Sequence, residues 1–200
     1  MIIAFAGCDG VGKTTLLYAT EKMLRSQGYS VKAFKPLAQS TPFCQSLLTI
    51  KQGYSGTTGD LNTRLRLLIA FETYRISLKL KEEQNKYDYI LLDRWTLCQR
   101  VYAAIWQNIE PLAEHILNQC LDPDITFIID ADEEDVDRRL SQRTERKPIE
   151  NMFALKRVLR SYRNHAKLTR NKFVLIDNRE GKMESAVQEI LNKLNEFVPA

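Results

Sequence analysis

Ile2-Ile3-Ala4-Phe5-Ala6-Gly7-Cys8-Asp9-Gly10-Val11-Gly12-Lys13-Thr14-Thr15 stands at the start of the chain and decides how the rest is read. Its first five residues are an unbroken apolar run, as expected of a strand covered on both faces. The turn that follows carries Gly7, Gly10 and Gly12 and closes on Lys13-Thr14. Gly-x-x-x-x-Gly-Lys-Thr between a strand and a helix predicts a phosphate cradle, and each position has a reason. The glycines let backbone N–H groups converge on an anion without side-chain clash. A helix beginning near Lys13 adds the partial positive charge of its N-terminus. Lys13 can reach the outer phosphates, and the Thr14 hydroxyl suits Mg²⁺. The stretch therefore predicts binding of a nucleoside triphosphate, expected to be ATP with Mg²⁺, through Gly7, Cys8, Asp9, Gly10, Val11, Gly12, Lys13, Thr14 and Thr15, with Cys8 as a small filler inside the loop. By itself it does not choose between an ATPase, a GTPase and a kinase.

Further along, short apolar runs at 2–6, 31–34, 89–92, 125–129 and 173–176 alternate with helical patterns near 13–27, 60–85, 95–120, 132–142, 150–168 and 182–197. That alternation predicts a three-layer α/β fold, a five-stranded parallel sheet flanked by helices with right-handed crossovers. No repeat or low-complexity linker interrupts residues 1–200, so one domain is expected. Residues 36–59, with Pro36, Pro42, Gly53, Gly56 and Gly59, read as a long connection that is helical near 43–51. The polar, basic run 143–149, Arg-Thr-Glu-Arg-Lys-Pro-Ile, reads as a short lid between two helices.

Composition narrows the classes. With 44% hydrophobic and 27% charged residues the chain is an ordinary globular one, and no apolar run approaches the length of a membrane span. The opening apolar residues lack the basic lead-in of a signal peptide, so the cytoplasm is the expected compartment. A net charge of +4 gives no reason to expect nucleic acid as a partner. Cys8, Cys44, Cys98 and Cys120 are scattered without zinc spacing and are expected as reduced thiols. His115 and His165 both lie in helical patterns, which disfavours histidine acid–base chemistry. Asn85-Lys86-Tyr87-Asp88 matches a guanine-reading pattern by letter, but it precedes its strand and so belongs to the edge of the sheet away from the phosphate loop.

The second informative stretch is Asp93-Arg94, directly after the third apolar run. The carboxyl end of that strand lies beside the phosphate loop in an open α/β sheet. There an aspartate can hold magnesium or position an attacking oxygen, and an arginine can clamp a second phosphate in a bidentate contact. A buried structural ion pair is the alternative.

With these pieces in place the sequence resembles the thymidylate kinase family of P-loop nucleoside monophosphate kinases. The resemblance rests on 5–15, on Leu91-Leu92-Asp93-Arg94-Trp95, on Asp122-Pro123-Asp124 leading a strand that ends at Asp130, on Arg139 and Arg143, and on Arg157-Val158 with Tyr162. It implies a P-loop kinase fold and transfer of the ATP γ-phosphoryl group to dTMP, giving dTDP and ADP. Asp9 would approach the acceptor sugar, Arg94 its phosphate, and Asp93 the magnesium. Val11 cannot supply the basic loop residue of some members, so Arg143 or Arg146 from the lid would neutralise the transferring group, worth about 10³-fold in rate. A homodimer is implied through apolar helix faces around 61–80 and 95–106, residues that core burial explains equally well.

The acceptor pocket departs from the family pattern. Leu67-Leu68-Ile69-Ala70-Phe71-Glu72-Thr73 places Ile69 where an aromatic stacks on the base and Thr73 where an arginine reads thymine. Arg75 takes that arginine's place only if the helix register shifts by two residues. Cys98 stands for a serine, Tyr102 keeps the aromatic position, and Lys35 in Lys35-Pro36 replaces a glutamate near the acceptor phosphate. Three other readings stay open: a kinase for a different nucleoside or deoxynucleoside monophosphate, a deoxynucleoside kinase acting on a 5′-hydroxyl, and a non-catalytic nucleotide-binding module.

Overall fold

The computed structural model describes residues 1–39, 42–53, 60–106, 110–142, 152–168 and 172–197. Five strands, β1 (Ile2–Ala6), β2 (Val31–Phe34), β3 (Tyr89–Asp93), β4 (Ile125–Asp130) and β5 (Phe173–Asp177), form one sheet in the order β2-β3-β1-β4-β5. All four strand pairings are parallel. The helices are α1 (Lys13–Ser26), α2 (Pro42–Gly53), α3 (Asp60–Glu83), α4 (Thr96–Trp106), α5 (Pro111–Asn118), α6 (Glu133–Ser141), α7 (Met152–Leu168) and α8 (Met183–Phe197).

Alternation along the central strands builds the layers. Ile3, Phe5 and Leu91 pack into one cluster with residues of α1, α4, α7 and α8, whereas Ile2, Ala4, Ile90 and Leu92 join residues of α3 and α5. Both faces of the sheet are covered, which is why β1 and β3 are buried at every position. Asp124, from the Asp122-Pro123-Asp124 stretch, serves the fold: its Oδ2 accepts from the Ile2 amide at 2.7 Å at the start of β1.

Two expectations need correction. The single helix expected over 95–120 is two helices, α4 ending at Trp106 and α5 starting at Pro111. Proline has no N–H to donate and its ring clashes with the preceding turn, so it starts a helix instead of continuing one. Glu110 caps the new start, its side chain accepting from the Ala113 amide at 2.8 Å. Three strands run one residue beyond their apolar runs and end on Asp93, Asp130 and Asp177. The guanine-like letters are placed as expected, at the amino-terminal edge of β3, where the Asp88 carboxylate accepts from the Ser30 amide and hydroxyl.

Candidate active site

β1 delivers the chain to the phosphate loop, and three glycines there hold positive φ. Two of them also need the missing side chain. A Cβ on Gly7 (φ +140°) would stand 2.6 Å from the Ile129 carbonyl oxygen, and one on Gly12 (φ +90°) would stand 2.5 Å from Asn178 Nδ2. Gly12 is the N-cap of α1 and brings no side chain to its amides, and the first turn of the helix carries no acidic residue. That end is thus electrostatically suited to an anion.

The loop is clamped from a distance by residues that sequence reading missed in this role. Asn178, just past β5, donates from Nδ2 to the Val11 carbonyl at 2.7 Å. Arg139 of α6 donates to the same carbonyl at 3.4 Å and to the Asn178 carbonyl at 2.9 Å. The separation along the chain leaves no local signal for such contacts.

Lys13 is only 5% exposed and donates to the Cys8 carbonyl at 2.5 Å. Burial, with Arg94 nearby as a second cation, brings its pKa down to about 8. Burial has the opposite effect on the Cys8 thiol, pushing it up to about 12, so Cys8 is no thiolate at neutral pH. Thr14 donates its hydroxyl to Asp93 Oδ2 at 2.5 Å, and Lys35 Nζ lies 3.8 Å from the same oxygen. The other carboxylate oxygen of Asp93 is buried without a hydrogen-bond partner among the described residues.

Arg94 is the one described non-glycine residue with positive φ, 74°. This left-handed turn at the end of β3 costs backbone strain and turns the side chain back toward the loop. Its Nη2 donates to Asp9 Oδ1 at 2.7 Å and its Nη1 to the Gly7 carbonyl at 3.2 Å. The guanidinium also lies 5.6 Å from the centre of the Tyr102 ring, and the Tyr102 hydroxyl donates to Asp9 Oδ2 at 3.2 Å. Burial opposes the charge on Arg94, but the Asp9 carboxylate and Tyr102 outweigh it and hold the pKa well above its ordinary value. Burial and then Asp9 raise the Tyr102 hydroxyl too, which keeps it a donor. Asp9, Arg94 and Tyr102, distant in sequence, therefore meet beside the phosphate loop.

A family model for thymidylate kinase matches residues 5–190. The chain belongs to the thymidylate kinase family. It is accordingly an ATP-dependent phosphotransferase. It is 29% identical to a probable thymidylate kinase of Methanocaldococcus jannaschii, over 97% of this chain and 95% of that protein. It is 24% identical to a probable thymidylate kinase of Sulfurisphaera tokodaii, over 98% and 94% of the two chains. The fold matches that of thymidylate kinase from Ehrlichia chaffeensis, with a TM-score of 0.69, 22% identity and 98% of each chain covered. It also matches thymidylate kinase from Candida albicans, with a TM-score of 0.76 and 17% identity over 98% of this chain and 91% of the other.

Against the thymidylate kinase pattern, the far side of the cleft is unusual. Ile69 is 2% exposed and packs with Leu37, Leu47 and Leu65 toward α2. Thr73 and Cys98 are buried as well. Arg75 pairs at 2.7 Å with Glu72, which also accepts from the Cys44 thiol on α2, so Arg75 is committed to that side of α3. Two polar residues between α3 and α4 escaped the sequence reading. Gln99 Nε2 donates to Thr73 Oγ1 at 2.5 Å, and Arg66 donates to the Tyr102 carbonyl at 3.4 Å. Gln99 stands one helical turn before Tyr102, but its bond to Thr73 is made between two helices and leaves no local signal in the sequence. Arg143 and Arg146, with the rest of the expected lid, lie outside the described residues.

Proposed function

We propose that this protein transfers the γ-phosphoryl group of ATP to dTMP, with the whole chain acting as one kinase unit. The observation that carries the reading is the pairing of two cationic grips in one cleft: Lys13 with the amides of the loop, and Arg94 turned toward Gly7 and Asp9. One suits the triphosphate and the other a monophosphate beside it. Asp9 and Tyr102 face the acceptor's sugar, and Lys35 adds positive charge near Asp93.

Thr14 and Asp93 would hold Mg²⁺. Their oxygens are the hard donors this ion takes, and the unpartnered carboxylate oxygen of Asp93 fits that use. Among the described residues no cluster of three acidic, histidine or cysteine side chains could enclose a metal, so nucleotide phosphates and water would have to supply the rest of the coordination. Bound there, the ion screens the charge of the phosphates undergoing transfer. Lys13 and Arg94 orient donor and acceptor, and Arg143 or Arg146 neutralises the moving phosphoryl group. No covalent intermediate is required, since positioning and charge stabilisation carry the rate.

Among the described residues no helix is long and apolar enough to cross a membrane. The compartment we propose is the cytoplasm, on the ground that the proposed substrates are small nucleotides. The partner we propose is a second copy of the chain. Leu68, Phe71 and Leu78 are each exposed by two-fifths or more and lie along one face of α3, within the stretch where the family resemblance places a dimer contact.

The test is an acceptor screen with ATP and Mg²⁺, setting dTMP, dUMP, dCMP, AMP and GMP against thymidine itself. dTMP is expected to be the preferred acceptor. Faster phosphorylation of thymidine would favour a nucleoside kinase, and ATP binding with no acceptor used would favour a non-catalytic module.

A further inference from the structure

Thr73 and Gln99 form a relay between α3 and α4 that the phosphate chemistry does not use. Thr73 Oγ1 donates to the Ile69 carbonyl at 2.7 Å, the bond a helical threonine makes to the residue four before it. The hydroxyl has one proton, so toward Gln99 the same oxygen can only accept. Gln99 Nε2 supplies the donor at 2.5 Å, the one hydrogen bond of that carboxamide among the described residues. The orientation of the amide thus follows from proton counting: its NH₂ faces Thr73 and its Oε1 does not. Turned over, it would set Oε1 against Thr73 Oγ1, two acceptors with no proton between them unless Thr73 abandoned Ile69.

Gln99 lies on the Tyr102 side of α4, one turn earlier, and Tyr102 reaches Asp9 beside Arg94. With its phosphate on Arg94 and its sugar against Asp9 and Tyr102, as proposed above, a nucleotide would extend its base along α4 toward Gln99. Thr73 is 1% exposed, which leaves Gln99 as the member of the pair able to meet a ligand.

We infer that Gln99, held in one orientation by Thr73, reads the 3,4-edge of the acceptor pyrimidine without a charged residue. The second N–H of the amide donates to an oxo group at C4, and Oε1 accepts from N3–H. A 4-amino pyrimidine presents the reverse pattern and requires the amide that Thr73 resists. Gln99 is the binding residue and Thr73 a positioning residue. The pair selects thymine and uracil over cytosine and does not separate thymine from uracil. This rests on the proposed monophosphate kinase activity.

The experiment measures kcat/KM for dTMP, dUMP and dCMP at fixed ATP in the unaltered protein, in Thr73→Val and in Thr73→Ser. The isosteric valine removes the lock, and the dTMP:dCMP ratio should fall about tenfold, the worth of one hydrogen bond with an unpaired acceptor. Serine should restore the ratio, and dTMP:dUMP should not move. An unchanged dTMP:dCMP ratio in Thr73→Val overturns the inference while leaving the kinase assignment standing. If that variant fails to fold by circular dichroism, Gln99→Leu decides: discrimination should collapse, and its retention overturns the inference. An unaltered protein that phosphorylates none of the three brings down the kinase reading itself, and this inference with it.

Discussion

Lys13 shows what burial does to a single charge. An ammonium placed under the loop, 5% exposed, loses hydration that only bound phosphates replace in full. Its pKa falls from the ordinary 10.5 to about 8, so the protein without nucleotide holds it cationic below that pH and neutral above. Triphosphate binds the cationic form. The dissociation constant for ATP with Mg²⁺ should therefore be flat below pH 8 and rise up to about tenfold per pH unit beyond it. Titration calorimetry across this range checks the prediction, and an affinity constant to well above pH 9 contradicts it. The effect on folding has the opposite sign. A neutral lysine is easier to bury, so the penalty from Lys13 fades between about 8 and 10.5 as pH rises. Lys13→Ala should abolish turnover, because the amides and the helix end remain but the mobile cation does not.

The phosphate loop owes its shape to other elements as much as to its own glycines. Asn178 past β5 and Arg139 of α6 both donate to the Val11 carbonyl, and the Asn178 amide occupies the space a side chain on Gly12 would need. Asn178→Ala leaves that carbonyl with the longer Arg139 contact alone. It should cost about 1–2 kcal/mol, lower Tm by a few degrees and weaken ATP binding about tenfold. A thermal melt with and without nucleotide reads both effects, and unchanged values would show that the clamp is incidental. The loop was legible in the sequence because its glycines, lysine and threonine are local and each is demanded by one physical task. The clamp was not, because it is made across the sheet by residues more than a hundred positions away. Strands were legible as apolar runs, but their terminal aspartates carry charge and so broke the pattern. The α4–α5 boundary was missed because hydrophobic spacing continues through it, although Pro111 marked the break. The base pocket was half legible: the family pattern showed what was missing at Ile69 and Thr73, and Gln99 became visible only once α3 and α4 were set side by side.

At the scale of the whole molecule, the sheet brings the carboxyl ends of β1 and β3 together, so the loop after one and Arg94 after the other share a cleft. The apolar face of α3 points outward. A dimer built on it should dissociate when Leu68 and Phe71 are both changed to glutamate, and light scattering should then report half the original mass. A protein that is monomeric before the change contradicts that assembly. The cleft carries the main claim, that two phosphate-bearing nucleotides are held side by side by separate cations. The direct measurement is calorimetric titration of dTMP into the ADP-loaded protein, with and without Arg94→Ala, alongside titration of ADP into each. The expected result is roughly 10- to 100-fold weaker dTMP binding in Arg94→Ala with ADP affinity preserved. Equal loss of both affinities, or dTMP binding untouched by the substitution, would contradict the assignment of Arg94 to a second phosphate.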